Sequence, residues 1–311
     1  MNDAPPIRRI ALVGFGEVGT IFGRDLARQG LAVSTYDILL DAPATRPTLL
    51  ERARAVAVAA VDTLDAAVRD ADLVISAVTA SSSQDVARAA TSSLRPGQVF
   101  LDLNSVSPET KRRSARAVEA SGADYVEAAV MAPVPPQRLA VPMLLGGRRA
   151  GPLATALKPF GINATAVAEE IGTASAIKMC RSIIIKGLEA LTVECLFAAR
   201  RFGAEDAVLA SLDKTFPAMG WSAQLPDYLV SRVAEHGRRR AAEMREVALT
   251  LDDVGVSPLM ATATAQRHDA LVERMAAAGW RYPADGKFLW RVLADALAAA
   301  EAKVGREAII R

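Results

Sequence analysis

The chain has 311 residues, 51% hydrophobic and 23% charged, with 37 lysines and arginines against 35 aspartates and glutamates. That length suggests two domains or one large one, and the apolar content excludes a disordered chain. A formal charge of +2 leaves no nucleic-acid footprint, and two cysteines with two histidines exclude a disulfide framework, a zinc site and a histidine-rich metal centre.

Residues 1–9 hold two prolines and no apolar core, unlike a secretory signal. No uninterrupted apolar run approaches the ~20 residues of a membrane span. Together with the unpaired Cys180 and Cys195, this reads as a cytoplasmic protein with reduced thiols.

Residues 10–13 are a short apolar β-former run. Gly14-Phe15-Gly16-Glu17-Val18-Gly19 follows at once, and Ile21, Phe22, Leu26 and Ala27 then fall at helical spacing. The pattern is strand, glycine turn, helix, as in a dinucleotide-binding unit. Gly14 permits the sharp turn, Gly16 lets a pyrophosphate approach the backbone, and Gly19 lets the helix pack on the strand. The diphosphate is expected on the unpaired N–H groups and positive dipole end of that helix. A second apolar segment, 31–36, ends in Asp37, where such a unit places its ribose-reading acid. A carboxylate there accepts from both ribose hydroxyls and repels a 2′-phosphate. NAD is therefore expected, with NADP as the alternative, since Arg46 downstream softens the preference. The competing reading of Asp37 is a solvated turn residue.

Residues 41–47 read as loop, 49–60 as helix or strand, and 64–68 as a short helix. A buried-strand run at 73–78 leads into a polar turn at 79–83, then a helix at 84–94 closed by Pro96-Gly97. After a strand at 99–103, Ser107 is placed to cap a helix with Pro108 at its first position. Further strands are expected at 125–130, 143–145 and 164–167. From about Thr173 the strand-like runs stop. Ile177, Ile184, Leu188, Leu191 and Cys195 can line one broad face of a long helix, with more helices at 207–216, 228–248, 263–278 and 285–304. The expected fold is α/β: a Rossmann domain over 1–171, built on a doubly wound parallel sheet, followed by an all-helical domain over 172–311.

Four further groups of residues can carry chemistry. Val78 and Thr79 end a strand and open a run of small hydroxyl residues, which suits either a cofactor's approach or a plain polar loop. Asn104 and Ser105 fall at the next strand tip, as ligand contacts or as turn and cap groups. Lys178, Ser182 and Glu189 share a narrow sector of the long helix, with Lys186 at its edge. Lys178 reads as a proton-transfer group or as a lysine that snorkels to solvent. His236 with Arg238, Arg239 and Arg240 is a cationic cluster. Most of it is expected in solvent, though one member could bind an anion.

Together these residues resemble the β-hydroxyacid dehydrogenase superfamily, which includes 3-hydroxyisobutyrate dehydrogenases, 6-phosphogluconate dehydrogenases and imine reductases. The resemblance rests on Gly14–Gly19, on Asp102–Pro108 and on Gly172–Ser182. Residues 129–136 and 178–191 are similar to a subgroup of NAD-binding dehydrogenases with a distinctive C-terminal helical domain. The resemblance implies that Lys178 is the catalytic lysine, that Ser105 contacts the nicotinamide, and that 127–133 is the substrate loop. Where the family has a serine and two glycines in that loop, this chain has Met131, Ala132 and Pro133; where it commonly has asparagine, this chain has Ser182. The expected function is hydride transfer between NAD(P) and a small anionic alcohol resembling a β-hydroxyacid. Lys178 is general acid/base, Ser182 and Asn104 orient the reacting oxygen, and Lys186 and His236 join the substrate site. A homodimer is expected through the helical domain, with no metal, nucleic acid or membrane partner. The rival readings are imine reduction on the same fold and a non-catalytic NAD sensor.

Overall fold

A computed structural model describes residues 7–309, with side chains through residue 302. Residues 1–6, most of the N-terminal segment read above, lie outside the described residues.

The chain opens on β1 (Arg9–Val13), α1 (Glu17–Ala27) and β2 (Ala32–Tyr36), followed by α2 (Arg46–Ala55), β3 (Ala59–Ala60), α3 (Leu64–Val68) and β4 (Leu73–Ser76). The ambiguous stretch at 49–60 is thus both things in turn: helix to Ala55, then, past a left-handed Ala57, the short strand β3. Next come α4 (Ser83–Ala90), β5 (Val99–Asp102), α5 (Pro108–Glu119), β6 (Asp124–Val130), α6 (Val134–Gln137), β7 (Met143–Gly146), α7 (Ala150–Leu157) and β8 (Ala164–Ala168). Ser107 caps α5 from its hydroxyl, as its spacing predicts.

The strands form one sheet in the order β3-β2-β1-β4-β5-β6-β7-β8. Strands β1 to β6 pair in parallel, and the order reverses between β1 and β4, the switch point where doubly wound sheets bind ligands. The sheet is not wholly parallel, because β7 runs antiparallel to β6. Their connection contains Pro133, Pro135, Pro136 and Pro142, which prevent the long crossover helix a parallel return requires. Alternating side chains feed two cores. Leu12, Phe22, Ile75, Leu101 and Val126 fill one, and Ala11, Val13, Val74, Phe100 and Tyr125 fill the other.

The remainder is helical: α8 (Thr173–Arg201), α9 (Glu205–Thr215), α10 (Leu225–Asp252), α11 (Leu259–Ala277) and α12 (Trp290–Ile309). The last helix starts later than its composition suggests. The chain divides into compact units at 1–179 and 180–311, so the division falls inside α8 rather than ahead of it. The second unit has its own core around Trp221, Val230, Leu271, Trp290 and Leu293. Among the described residues, no helix is long and apolar enough to cross a membrane, and no cluster of His, Cys, Asp and Glu could hold a metal ion.

Of the residues read as one face of α8, Leu188 packs against the core of the second unit and the others face outward. Ile177, Ile184 and Leu191 do share a face, but it is exposed, Ile184 by 72%, and Cys195 is exposed as well. The buried side carries Ser182, Lys186, Glu189 and Thr192. Lys186 and Glu189 find partners on α10, and Ser182 and Thr192 find theirs on α8 itself.

Candidate functional site

The glycine loop follows β1 at the switch point. Gly14 has a φ of +92°, and a Cβ there would lie 2.5 Å from the Ala77 carbonyl oxygen. At Gly19 a Cβ would drive into the Gly14 carbonyl. Both glycines are therefore demanded by the fold itself. Gly16 differs: it is exposed, and a Cβ built on it meets nothing within 4 Å. It is also the N-cap of α1 and provides no side-chain cap for the first turn. Glu17 is exposed and Val18 half-buried beside it. The arrangement leaves a helix N-terminus with open space over a bare backbone, which fits a diphosphate.

Asp37 ties this loop to the end of β2. Its carboxylate accepts from the Phe15 amide at 2.6 Å and from the Leu39 amide at 2.9 Å. Each oxygen retains a lone pair, so ribose hydroxyls can still be met. Arg46, expected to bear on the cofactor preference, is committed elsewhere, pairing with Asp62 and donating to the Leu40 carbonyl at 2.9 Å. Arg52, which the sequence did not single out, donates to the Phe15 carbonyl at 3.1 Å.

Beneath the switch point lies a buried polar network. Asp102 is wholly buried and accepts from Lys111 Nζ at 3.0 Å, Tyr125 Oη at 2.6 Å, the Asn104 amide nitrogen at 2.9 Å and Asn104 Nδ2 at 2.7 Å. Burial and the Asp102 charge push the Tyr125 phenol well up, so it remains a donor. Asn104 Oδ1 accepts from the Val78 amide at 2.8 Å, and its Nδ2 also donates to Ser76 Oγ at 2.9 Å. Asn104 is only 4% exposed and both ends of its amide are engaged, which ties the Val78 loop to the strand tips and matches its reading as a turn group. Thr79 is exposed on that loop, its hydroxyl 3.0 Å from those of Ser81 and Ser82, and Ser105 is half-buried after the strand tip. Lys111 and Tyr125 were missed. The available signal was Asp102 itself, a carboxylate ending an apolar strand, which a buried site must pair.

The loop after β6 is poor in donors. The Met131 amide donates to the Pro142 carbonyl at 2.9 Å, Pro133 has no N–H, and Met131 and Ala132 are half-buried. Upstream, Glu127 is wholly buried. It accepts from the amides of Gly172 at 2.6 Å, Ala174 at 3.1 Å and Ser175 at 3.3 Å, and from the Ser175 hydroxyl. Lys178 is half-buried one turn further along α8.

In the helical unit, Lys186 donates to Ser182 Oγ at 3.2 Å and pairs with Glu243 Oε2 at 3.0 Å. Glu189 receives both guanidinium arms of Arg240. Arg240 thus turns inward while Arg238 and Arg239 are exposed, and the anion it binds is the chain's own. Burial holds the Glu189 carboxyl above its ordinary range against the pull of Arg240 and Lys186. His236 is half-buried, 3.4 Å from Glu235, and desolvation holds it below the usual histidine range. His268, unremarked in the sequence, is wholly buried with neither ring nitrogen bonded, and burial beside Arg240 and Lys186 lowers it to about 4.

Comparison with known proteins agrees with this geometry. Residues 9–151 match the model for the NAD binding domain of 6-phosphogluconate dehydrogenase, and residues 199–271 match a domain of unknown function, DUF1932. A conserved hypothetical protein from Sinorhizobium meliloti is 36% identical over 96% of this chain and 98% of its own, with a TM-score of 0.79. Conserved protein MTH1747, of unknown function and described as structurally similar to 3-hydroxyacid dehydrogenases, is 33% identical over 85% of this chain and 97% of its own, with a TM-score of 0.70. Mycobacterium tuberculosis 3-hydroxyisobutyrate dehydrogenase, solved with L-serine, shares the fold at 19% identity over 94% of this chain and 99% of its own, with a TM-score of 0.69.

Proposed function

The chain belongs to the β-hydroxyacid dehydrogenase superfamily, and from that premise we propose that it is an NAD-dependent oxidoreductase acting on a small alcohol of the β-hydroxyacid kind. The observation that carries this reading is Gly16, a glycine that no contact within the protein demands, at an uncapped helix N-terminus on the switch point. When bound, the nicotinamide supplies or accepts the hydride. The protein's part is to hold and to move a proton. The α1 terminus and Asp37 bind the diphosphate and adenosine ribose. Asn104 fixes the Val78–Thr79 turn, and Ser105 offers a hydroxyl to the nicotinamide amide. Lys178 takes the proton from the alcohol oxygen as hydride leaves, and returns it in the reverse direction. Ser182, with its hydroxyl already accepting from Lys186, has its own proton to donate to a substrate oxygen.

One observation favours a second reading, reduction of a carbon–nitrogen double bond. The Met131–Pro133 segment offers few N–H groups to a carboxylate, which suits a less anionic substrate. A panel of β-hydroxy acids and cyclic imines, followed at the nicotinamide absorbance band with NADH and NADPH, separates the two. Turnover of a hydroxy acid that falls at least a hundredfold in Lys178→Ala, with cofactor affinity retained, is the expected result. Full turnover in that variant overturns the role of Lys178; tight cofactor binding with no turnover across the panel favours the sensor. Two copies are proposed to associate through the exposed α8 stripe, where Ile177, Ile184 and Leu191 recur at seven-residue intervals. Light scattering of Ile184→Glu, expected to be monomeric, tests this.

A further inference from the structure

Helix α8 begins at Thr173, directly after Gly172, a residue with φ of +106° and no side chain to cap the first turn. The amides that such a terminus leaves unpaired are gathered instead by a carboxylate from β6. Glu127 takes three of them together with the Ser175 hydroxyl. The site is made for this side chain. Opposite it, Gly146 has no Cβ, and one built there would lie 2.5 Å from Glu127 Oε1. A wholly buried carboxylate inside an apolar strand would be strongly destabilising without partners, and here each partner belongs to one helix end.

Lys178 stands in register with that end. It follows Ala174 by four residues and Ser175 by three, so all three lie on neighbouring parts of one face. Helical side chains lean toward the N-terminus, which places a long side chain at 178 over the turn that Glu127 ties down. We infer that Glu127 is the positioning residue for Lys178, fixing the first turn of α8 to the sheet and setting the charge of the surroundings in which the lysine exchanges its proton. The inference rests on the reading of Lys178 as general acid/base. Without Glu127 the helix terminus presents its full positive end, which disfavours an ammonium nearby. With it, that end and the Arg112 guanidinium packed against Gly172 are both opposed by a buried carboxylate.

The test uses the full-length protein, reductively methylated with 13C-formaldehyde, with the Lys178 resonance assigned by its absence in Lys178→Arg. Glu127→Gln keeps the shape and removes the charge; its Lys178 titration midpoint is expected to fall by about half a pH unit. Glu127→Asp keeps the charge but withdraws it, and its midpoint is expected to lie between those of Glu127→Gln and wild type. NADH affinity should remain within twofold in both. On the substrate found in the panel, kcat should fall at least tenfold in Glu127→Gln with KM changed less than threefold, and Glu127→Asp should recover part of the loss. A midpoint unmoved in Glu127→Gln, or in Glu127→Asp should the first variant fail to fold, overturns the inference. A moved midpoint together with full turnover in Lys178→Ala overturns the general acid/base reading and leaves the positioning of the lysine standing.

Discussion

Lys111 and Asp102 meet twice in the interior of the sheet unit: the ammonium lies 3.0 Å from the carboxylate and 2.9 Å from the carbonyl oxygen of the same aspartate. Both side chains are at most 1% exposed. Removing one partner leaves a buried charge uncompensated, so Lys111→Met is expected to destabilise the protein by about 3–5 kcal/mol. Urea unfolding measures this. The double variant Lys111→Met with Asp102→Asn should regain at least half of the loss, because the orphaned charge is gone. Equal stability of the single and double variants would contradict the pairing.

Gly16→Ala separates folding from binding. Since a Cβ there meets nothing, the thermal midpoint should stay within about 1 °C of wild type. The same methyl group occupies the space over the α1 terminus, and NADH affinity is expected to fall at least about tenfold, roughly 1.4 kcal/mol. Fluorescence titration with unchanged affinity would remove the diphosphate from this loop.

Asp37 has a structural duty at Phe15 and Leu39 as well as a proposed ribose contact. Asp37→Ala should therefore weaken both cofactors by loosening the loop, while the ratio of NADPH to NADH dissociation constants drops at least about fivefold through the lost repulsion of a 2′-phosphate. Calorimetric titration of both cofactors reads the ratio. An unchanged ratio would confine Asp37 to the structural duty alone.

His268 makes the helical unit acid-sensitive. Its ring is held near 4 when folded against 6.5 as a free group, because burial and the charges of Arg240 and Lys186 oppose protonation, with the Lys186 backbone and then Asp269 opposing them more weakly. Between those values the unfolded chain binds a proton that the folded chain refuses. Stability thus falls as the pH drops from about 6.5 and levels off below about 4, a loss of about 3 kcal/mol. Glu189, 4.0 Å away and raised by burial, works in the opposite sense, so the comparison must be made between variants. His268→Leu, which leaves no ring nitrogen unpaired, should flatten the decline. Urea unfolding at pH 7.0, 5.5 and 4.5 checks it; parallel curves for wild type and variant would contradict the assignment.

The features legible in the sequence were local ones. The spacing of the glycine turn, the position of Asp37 at a strand end, the Ser107 cap and the change from alternating elements to helices are each signalled by a short run of neighbouring residues. What was not legible depends on partners brought from afar. Asn104 looked like a ligand contact until Val78, Ser76 and Asp102 closed around it. The antiparallel β7 follows from a proline-laden connection whose effect on strand direction is topological. Which face of α8 lies inside was not legible, because periodicity identifies a stripe without saying which stripe is buried. Contacts from half-buried Glu243 and buried Arg240 can make a polar row the inner one.

That arrangement sets the map of mutational tolerance along the helix. For the single chain, neutral drift is least constrained where α8 is most oily: a polar replacement of Ile184, 72% exposed, disturbs no internal packing. The strictest positions are those that look like surface. A leucine at position 186 would read as a gain in hydrophobic core, yet it would strip Ser182 and Glu243 of their common donor. A sequence profile of this helix should therefore hold its lysine at 186, and an engineer who polished its exposed isoleucines by the usual rule would be editing the surface proposed for association while the fold stood by unchanged.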